Sequence, residues 1–498
     1  MRLIERDGHS IEPIIGLEIH VQLATRTKMF CGCAVEFAAR PNSRVCPTCL
    51  GLPGALPVIN REAVELAIRA GLALHCQIAT ATKWDRKSYF YPDLPKNYQI
   101  SQYDQPICAG GHFELPFDGR IRKIRIRRAH LEEDAGKNVH LDSGVTAVDL
   151  NRAGTPLLEI VTEPDMRSAE EVREFAVQLQ RLVAYLGISE ANMMKGQMRF
   201  EPNINLRIRG PAGEAVTPIV EVKNLNSFRA VQRAVEYEIG RQFDEWRETG
   251  RTAAPGNKSN RGWDDEREIT LPQREKEEAA DYRYLPDPDL SAVLPDPVHV
   301  QHLREEMPEL PIPRTERLIC EYKLPPKDAP ALIEDRASAD LLDHAGEAGG
   351  DKVTLGKHFL SFWARLANER KTTIAGLGVA PQAMAELATL AAEGLISATA
   401  AAQIAEAIVG DGPGQTPRAL AQSLGLMQSR DEGQIAAWVE RALAANGQAV
   451  RDAVENPKKL QAARGFLAGQ VMKLSGGKAD PKIAASLIEA RLRQATSG

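Results

Sequence analysis

The sequence has 498 residues and a formal net charge of −5, with 43% hydrophobic and 5% aromatic residues. At roughly 100–200 residues per domain, this length predicts two to four domains, and the composition is typical of a globular protein with enough apolar residues for a core. The amino-terminal residues are mixed in charge and contain no apolar run, so we predict neither a signal peptide nor a transit peptide. No stretch reaches the roughly 18 uninterrupted apolar residues of a membrane span. We therefore expect a cytoplasmic protein that does not enter a membrane.

The charge is distributed unevenly along the chain. Residues 411–498 carry 12 Lys and Arg against 8 Asp and Glu, which leaves a net charge of −9 on the preceding residues. An acidic body followed by a basic tail fits a metal and nucleotide site joined to an RNA-binding appendage.

The first 290 or so residues contain short β-like runs separated by turns. Residues 14–21 alternate apolar side chains with Glu18 and His20, which predicts a strand, and residues 124–127 alternate in the same way. One amphipathic helix is predicted after Ser168, which caps it together with Glu171 in a capping box. Mixed elements of this kind predict an α+β fold for the amino-terminal part.

Two breaks divide the chain. A proline-rich stretch at 285–297 precedes Ala- and Leu-rich helical sequence, and Gly410-Asp-Gly-Pro-Gly414 interrupts that helical sequence. Asn456-Pro457 and Asp480-Pro481 then predict the starts of two helices. We expect an α+β fold with a mixed α/β cradle domain carrying a zinc-stapled loop, followed by two all-helical domains. The predicted domains are residues 1–292, 298–410 and 411–498.

Four of the seven cysteines are clustered. They are Cys31, Cys33, Cys46 and Cys49, with twelve residues between the two pairs. Two close thiolate pairs can complete a tetrahedral Zn²⁺ shell and hold together a loop with little core of its own. Because four thiolates leave no open coordination position, the predicted zinc site is structural. The alternative is four unligated structural cysteines.

Carboxylates and an imidazole recur in the predicted strands. Glu18 and His20 are two residues apart and project from one strand face, and such a pair can hold a divalent cation or simply face solvent. A run of three acids follows at 132–134, and Glu159 lies within an apolar stretch. A carboxylate in such a stretch must be paired or metal-bound, because burying a bare charge is costly. Glu159 could therefore bind a metal or pair with an arginine.

Several common catalytic motifs are absent from the sequence. There is no Walker A loop, no G-x-G-x-x-G after a strand and no protein-kinase signature set. The G-x-S-x-G elbow is also missing, so any glutaminase chemistry must come from a partner.

Ordered motifs extend along nearly the whole chain. They are Ile15-Gly-Leu-Glu-Ile-His-Val21, the run from Asp85 to Asp104, His130-Leu-Glu-Glu-Asp-Ala-Gly-Lys137, the run from Asp149 to Val161, Glu221-Val-Lys-Asn-Leu-Asn-Ser227, Asp281-Tyr-Arg-Tyr284 and Phe466-Leu-Ala-Gly-Gln-Val-Met-Lys473. Together these motifs resemble the family of B subunits of bacterial tRNA-dependent amidotransferases. The resemblance implies a cradle domain that uses ATP and Mg²⁺ to phosphorylate the side-chain carboxylate of Asp or Glu esterified to tRNA. Ammonia from an amidase partner then displaces phosphate.

The resemblance also implies roles for individual residues. A Mg²⁺ site falls on His20, Glu133 and Glu159, and neighbouring acids that help to hold nucleotide or a second metal fall on Glu18 and Glu221. Lys87 and Lys96 match two lysines at the mouth of the family's ammonia channel. Without the motif, both would be interpreted as solvated surface lysines.

One motif departs from the family pattern. Where the family typically has Met-Glu-Glu-Gly-Ser-Leu-Arg-Cys-Asp-Ala-Asn, this chain has Met193-Met-Lys-Gly-Gln-Met-Arg-Phe-Glu-Pro-Asn203. Glu201 keeps the charge of the family aspartate one methylene further out, and we count it among the catalytic candidates. Met194 and Lys195 replace two acids and make that rim less acidic.

The resemblance implies a heterotrimeric complex. Its other members would be an amidase (the family's A subunit) and a small protein (the C subunit), and its substrate would be carried on tRNA(Asn) or tRNA(Gln). The helical tail would bind the tRNA, and its candidates for phosphate contacts are Lys458, Lys459, Arg464 and Lys473.

Two alternatives are a non-catalytic scaffold that binds tRNA and the archaeal-type relative. The archaeal-type relative has a large insertion between cradle and helical domain, whereas here only a short proline-rich link follows Tyr284.

Overall fold

A computed structural model describes residues 3–273, 282–411, 414–455 and 460–497. The chain separates into two compact units, Met1–Pro311 and Ile312–Gly498. The strands of the first unit are β1 Ile4–Arg6, β2 His9–Gln22, β3 Gln77–Ile78, β4 Asp85–Ser88, β5 Tyr98–Ser101, β6 Cys108–Phe117, β7 Arg120–Glu133, β8 Lys137–His140, β9 Thr146–Asp149, β10 Pro156–Thr162, β11 Met198–Gly210, β12 Gly213–Val216, β13 Val220–Lys223, β14 Ser259–Asp264, β15 Ile269–Pro272 and β16 Leu285–Pro286.

An eleven-stranded sheet forms the body of the first unit. Its order is β15-β14-β13-β11-β2-β10-β7-β6-β3, with β1 on β2 and β12 on β11. All neighbours are antiparallel except β13 and β14, which run parallel. The long strand β2 lies between β11 and β10 near the middle, and its side chains at Ile15, Leu17, Ile19 and Val21 are buried. The alternation in the sequence correctly predicts this strand and its polar face.

The described part of the first unit also contains helices that accompany the sheet: α1 Arg61–Ala73, α2 Ala169–Tyr185, α3 Phe228–Thr249 and α4 Pro297–Glu305. Helix α2 begins as predicted, because the Ser168 hydroxyl accepts a hydrogen bond from the backbone N–H of Glu171. Its apolar stripe packs on β6, where Phe175 meets Phe113 edge to face at 5.3 Å between ring centroids. Helix α1 packs on β6 and β7, and α3 on β11. Helices α1, α2 and α3 thus cover apolar residues of the strands, and α4 packs on α1.

The described elements of the second unit are helices, apart from an isolated bridge between Ser429 and Ala479. Its helices are α5 Pro311–Glu321, α6 Ala329–Leu332, α7 Arg336–Glu347, α8 Lys352–His358, α9 Ala364–Glu369, α10 Pro381–Ala392, α11 Ala398–Asp411, α12 Pro417–Ser423, α13 Glu432–Ala445, α14 Gly447–Glu455, α15 Leu460–Leu474 and α16 Pro481–Ser497. A π-helical turn, Phe359–Trp363, joins α8 to α9. No described helix combines the length and apolar character that a membrane span requires.

The expected division into helical domains at residue 410 stays a proposal. A compact apolar cluster formed only by residues between Ile435 and Leu492 supports a separate tail core. Helix α12, however, contacts α10 and α11, which precede the proposed boundary. Gly412 and Pro413, and the predicted helix start at Asn456-Pro457, lie outside the described residues.

The buried His358 makes the helical unit sensitive to acid. Its ring is 7% exposed and packs against Phe362, and burial lowers its pKa to about 4. The unfolded chain binds this proton near pH 6.5, so stability falls as pH drops from about 6.5 towards 4. Between pH 7 and pH 4.5 we expect this histidine to account for about 2–3 kcal/mol of lost unfolding free energy.

Urea unfolding of His358→Leu at both pH values measures this contribution, and its free energy should fall less on acidification than that of the unmodified protein. His344→Leu, at an exposed position of α7, is the control and should leave the pH dependence unchanged. Equal acid sensitivity of His358→Leu and the unmodified protein would contradict the assignment.

Candidate active site

A row of polar side chains crosses the middle of the sheet. His20 on β2 lies opposite Glu159 on β10, and Glu159 lies opposite His130 on β7. On the other side of β2, Arg199 of β11 lies opposite His20. Residues directly opposite on neighbouring strands project from the same face, so the four side chains stand side by side.

Three of these strands supply a group of possible cation ligands, here called the histidine group: His20, Glu132 and Glu159. Each offers one ligand atom, and these atoms lie within 4.8 Å of one another. His20 Nε2 is 3.5 Å from Glu132 Oε1 and 3.6 Å from Glu159 Oε2. His130 Nε2 approaches Glu159 from the other side at 3.5 Å. The imidazole and the two carboxylates therefore converge on one point.

The pKa values of the two carboxylates in the histidine group are shifted in opposite directions. Burial and the charge of Glu159 raise the pKa of Glu132 to about 7. Burial also opposes ionisation of Glu159, but the charges of His130, His20 and Lys87 outweigh it and lower the pKa of Glu159 to about 2. A divalent cation would relieve the repulsion between the two carboxylates, and its oxygen and imidazole donors are present.

A second set of acids, the glutamate group, lies beside the first on the same face. It consists of Glu18, Glu201 and Glu221, whose ligand atoms also lie within 4.8 Å of one another. Glu18 is opposite Glu201 across β2 and β11. Lys223 Nζ lies 3.0 Å from Glu201 and 3.3 Å from Glu221, and Lys258 Nζ lies 2.9 Å from Glu221. The longer side chain of Glu201 thus still reaches the acids that the resemblance implied.

Both groups contribute to one open cleft of about 800 Å³. The cleft also contains Lys87, and Arg199, which donates a hydrogen bond of 2.9 Å to Asp134. Burial alone would lower the pKa of Lys87, but the charges of Glu132 and other neighbours outweigh it and raise that pKa. The cleft thus combines acids that can hold cations with fixed positive charges that can hold phosphate oxygens.

Glu133, the neighbour of Glu132, does not join the histidine group. Consecutive strand residues project from opposite faces, and Glu133 therefore turns away from His20. Its carboxylate pairs with Lys96 and accepts a hydrogen bond of 3.0 Å from the backbone N–H of Ile100. The predicted grouping of Glu133 with His20 and Glu159 is not the one that the structure brings together, and Glu132 occupies that position.

The two predicted channel lysines consequently lie in different surroundings. Lys87 is in the cleft, whereas Lys96 lines a separate cavity of about 110 Å³. Glu133 also lines this cavity, together with residues of the segment 31–52 that carries the four cysteines, here called the cysteine loop. The Lys96 and Glu133 side chains are 8% and 3% exposed, so this ion pair is withdrawn from solvent.

The four clustered cysteines are brought together. The Sγ atoms of Cys31, Cys33, Cys46 and Cys49 lie within 4.8 Å of one another. Tetrahedral zinc with Zn–S bonds of about 2.3 Å requires Sγ atoms roughly 3.8 Å apart, which is compatible with this spacing. A hydrogen bond from the Cys31 thiol, opposed by burial, lowers the pKa of Cys49 to about 4. The donor set and spacing fit a structural zinc ion.

Other predicted residues are less closely connected with the cleft. Met194 is 85% exposed, and Lys195 pairs with Glu190 at 3.2 Å in the short turn before β11. In the tail, Arg464 pairs with Glu489 at 2.8 Å and Lys473 is exposed. Lys458, Lys459 and Asp281 lie outside the described residues.

Sequence reasoning missed four residues of these sites: Glu132, His130, Arg199 and Lys28. Glu132 and His130 could have been found from strand alternation, because they are two residues apart on a strand that ends at Glu133. No pattern in the sequence distinguishes Arg199 or Lys28 from surface cations.

The sheet carries two groups of candidate cation ligands that face one cleft, and its residues match the GatB/GatE catalytic domain, which gives the class of the protein. The family model of the GatB/GatE catalytic domain matches residues 13–301 of this chain, and the family model named "GatB domain" matches residues 340–492.

Curated relatives extend the match to nearly the whole chain. The B subunit of aspartyl/glutamyl-tRNA(Asn/Gln) amidotransferase from Thermoanaerobacter sp. (strain X514) is 41% identical over 97% of this chain and 99% of its own length. The proteins of the same name from Moorella thermoacetica and Rhodopirellula baltica are 43% and 45% identical, over 97% and 93% of this chain and 99% and 94% of their own lengths. The chain therefore belongs to the GatB family of tRNA amidotransferase B subunits.

Proposed function

We propose that this protein is the activating member of a glutamine-dependent amidotransferase that converts Asp-tRNA(Asn), Glu-tRNA(Gln) or both to Asn-tRNA and Gln-tRNA, a carbon–nitrogen ligase of class EC 6.3.5. The observation that carries the proposal is that the histidine group lines the same cleft as Glu18 and Glu201 of the glutamate group, with Glu221 buried beside them. A protein that only bound tRNA would have no use for two sets of converging carboxylates.

Amidation of a side-chain carboxylate requires that the carboxylate be activated first, because an oxide ion is a poor leaving group. Phosphate is a good leaving group. We propose that the cleft transfers the γ-phosphoryl group of ATP to the side-chain carboxylate of tRNA-linked Asp or Glu. His20, Glu132 and Glu159 would hold one Mg²⁺ ion, with Glu132 in place of the predicted Glu133, and Glu18, Glu201 and Glu221 would hold nucleotide or a second ion. Held by these residues, Mg²⁺ would supply positive charge that offsets the charge of the phosphate groups.

The protein's own side chains have separate tasks in this proposal. His130 contacts Glu159 from β7, on the side away from His20, and fixes the orientation of its carboxylate, as second partners of metal-binding residues commonly do. Lys87 and Arg199 place positive charge in the same cleft, where it can meet the charge that develops on the transferred phosphoryl group. Glu133 and Lys96 form the neighbouring buried pair, which we assign to the mouth of the ammonia channel.

The proposal implies partners. An amidase, the A subunit, would release ammonia from glutamine, the small C subunit would complete a heterotrimer, and the helical tail would bind tRNA. Support comes from the names of the relatives, which are B subunits, and from the absence of an amidase nucleophile motif in this sequence. Because aminoacyl-tRNA is used by ribosomes, we place the reaction in the cytoplasm.

The decisive experiment measures phosphate release from ATP by the assembled complex. We expect release that depends on Glu-tRNA(Gln) or Asp-tRNA(Asn) and is absent with the uncharged tRNAs. The two aminoacyl-tRNAs assayed separately give the substrate specificity. A complex that binds these tRNAs but cleaves no ATP with either would favour the non-catalytic scaffold instead.

The four thiolates make a further prediction for the purified protein. We expect about one zinc ion per chain by elemental analysis, and Cys46→Ser should lower that content because it removes one of four ligands. The buried Cys108→Ser is the control, since Cys108 lies on β6 away from the cluster, and it should keep the zinc. An absence of zinc together with free reaction of the four thiols would contradict the site.

A further inference from the structure

Lys28 is a completely buried charged residue that the proposed reaction leaves unexplained. Its side chain has 0% exposure, and it belongs to the largest fully buried side chains of the described chain. Burying an ammonium group costs several kcal/mol unless negative charge and hydrogen bonds compensate. The position therefore requires a specific anionic partner.

The cysteine loop supplies that partner. Lys28 Nζ donates hydrogen bonds to Cys49 Sγ at 3.6 Å and to the carbonyl oxygen of Leu150 at 3.4 Å. The backbone is tied to the same loop, because the N–H of Lys28 donates to the carbonyl oxygen of Cys33 at 2.9 Å. Both the charge and the main chain of Lys28 are thus directed at the four-cysteine cluster.

The charge balance explains why a cation is needed there. Four thiolates around Zn²⁺ leave a net charge of −2, and a lysine ammonium in contact with one sulfur reduces it to −1. The negative charge of the four-thiolate cluster is partly withdrawn from water, so the neighbouring ammonium group stabilises it strongly. Hydrogen bonds from outside the ligand set also fix the ligand orientation.

The surroundings of Gly154 connect this cation to the buried ion pair. Gly154 has a φ of +85°, and a Cβ added there would lie 3.5 Å from Lys28 Cδ, 3.6 Å from Cys49 Cβ and 3.6 Å from Glu133 Oε2. On the other side of the cavity, a Cβ at Gly51 of the cysteine loop would lie 2.5 Å from Lys96 Cγ. The loop therefore packs directly on Lys96, and Gly154 lies where Lys28, Cys49 and Glu133 approach one another.

We propose that Lys28 is the positioning cation of the four-thiolate site, which it stabilises by charge, and that this site in turn holds the Lys96–Glu133 pair in place. The inference rests on the proposed zinc site. The cysteine loop then supports the neighbouring ion pair, in addition to being held together by zinc itself. Lys28 acts through Cys49 and touches no substrate in this proposal.

The test compares zinc retention in full-length variants by competition with a chromophoric chelator. Lys28→Met removes the charge at similar length and should weaken zinc binding about 10–100-fold, which is typical of the loss of an outer partner of a metal ligand. Lys28→Arg keeps the charge and should lose less affinity than Lys28→Met. Lys123→Met, at a position on β7 whose side chain is 64% exposed, should bind zinc as the unmodified protein does.

Two further measurements keep the test informative if Lys28→Met folds poorly. Cobalt substitution gives a thiolate-to-metal absorption band, which should differ between Lys28→Arg and the unmodified protein because the hydrogen bond to sulfur changes. In the unmodified protein, zinc removal should speed hydrogen exchange at the N–H of Ile100, which donates to Glu133. Unchanged exchange would overturn the supporting role of the cysteine loop.

Equal zinc affinity in Lys28→Met and the unmodified protein would overturn the role of Lys28. None of these readouts depends on ATP cleavage, so a failure here is distinguishable from a failure of the activating function. A protein that carries no zinc at all would refute the zinc site and this inference together, while leaving the ATP assay to decide the catalytic proposal.

Discussion

Glu132→Gln is expected to lower the rate of tRNA-dependent ATP cleavage by about 10²–10³-fold or more, the size of effect seen when one charge-stabilising group is removed from an active site. Glu132 converges with His20 and Glu159, and the amide cannot supply the negative charge that a divalent cation needs. Manganese titration of the full-length protein should show weakened binding in the same variant. The tRNA should still bind, because the change is confined to the cleft.

The adjacent residue provides the matched comparison. Glu133→Gln changes the same functional group one position along β7, but its side chain faces Lys96 and not His20. We expect this variant to bind manganese normally and to retain ATP cleavage better than Glu132→Gln. Glu114→Gln, on the exposed part of β6, serves as the neutral control. Loss of manganese binding in Glu133→Gln but not in Glu132→Gln would refute the assignment of the ligand.

Lys96→Met is expected to reduce the free energy of unfolding by about 3–5 kcal/mol, because it leaves the Glu133 carboxylate buried without its partner. The double variant Lys96→Met/Glu133→Gln should lose much less than the sum of the single changes, since neither charge is then stranded. Denaturant unfolding of the four proteins gives the coupling energy directly.

An exposed pair on the same sheet provides a control cycle. Lys123 and Glu114 lie 3.6 Å apart with side chains 64% and 48% exposed, and their coupling should be below about 1 kcal/mol. In the assembled complex, Lys96→Met should also impair amidation with glutamine more than amidation with added ammonia, as the proposed position of Lys96 at a channel mouth implies. Equal coupling in the two cycles would contradict the buried character of the Lys96–Glu133 pair.

Much of the fold follows from local sequence patterns. Alternation predicts β2 and the strand at 124–127, and the capping serine predicts where α2 begins, because these features depend on neighbours two to four residues away. The pairing of β13 with β14 is different. These two strands are connected through the long helix α3 and pair in parallel, and no local sequence pattern specifies that they pair.

The residues of the candidate site also fall into two sets, those that local sequence patterns predict and those that they do not. Glu18, His20, Glu159 and the four cysteines are predicted from residue type and spacing. Strand alternation places Glu132 on the same face of β7 as His130 and Glu133 on the other face. Which of these faces meets His20 is decided by the pairing of β7 with β10, and local sequence does not specify that pairing. Lys28 was missed because burial of a lysine is decided by long-range packing, and its sequence context resembles that of any surface lysine.

The central position of β2 has a consequence for how this family can vary. Glu18 and His20 stand on one strand, and their partners stand on the strands to either side of it. A one-residue insertion in β2 would turn both side chains to the opposite face and separate both groups at once. In a library of single insertions and deletions, residues 14–22 should therefore be among the least tolerant positions.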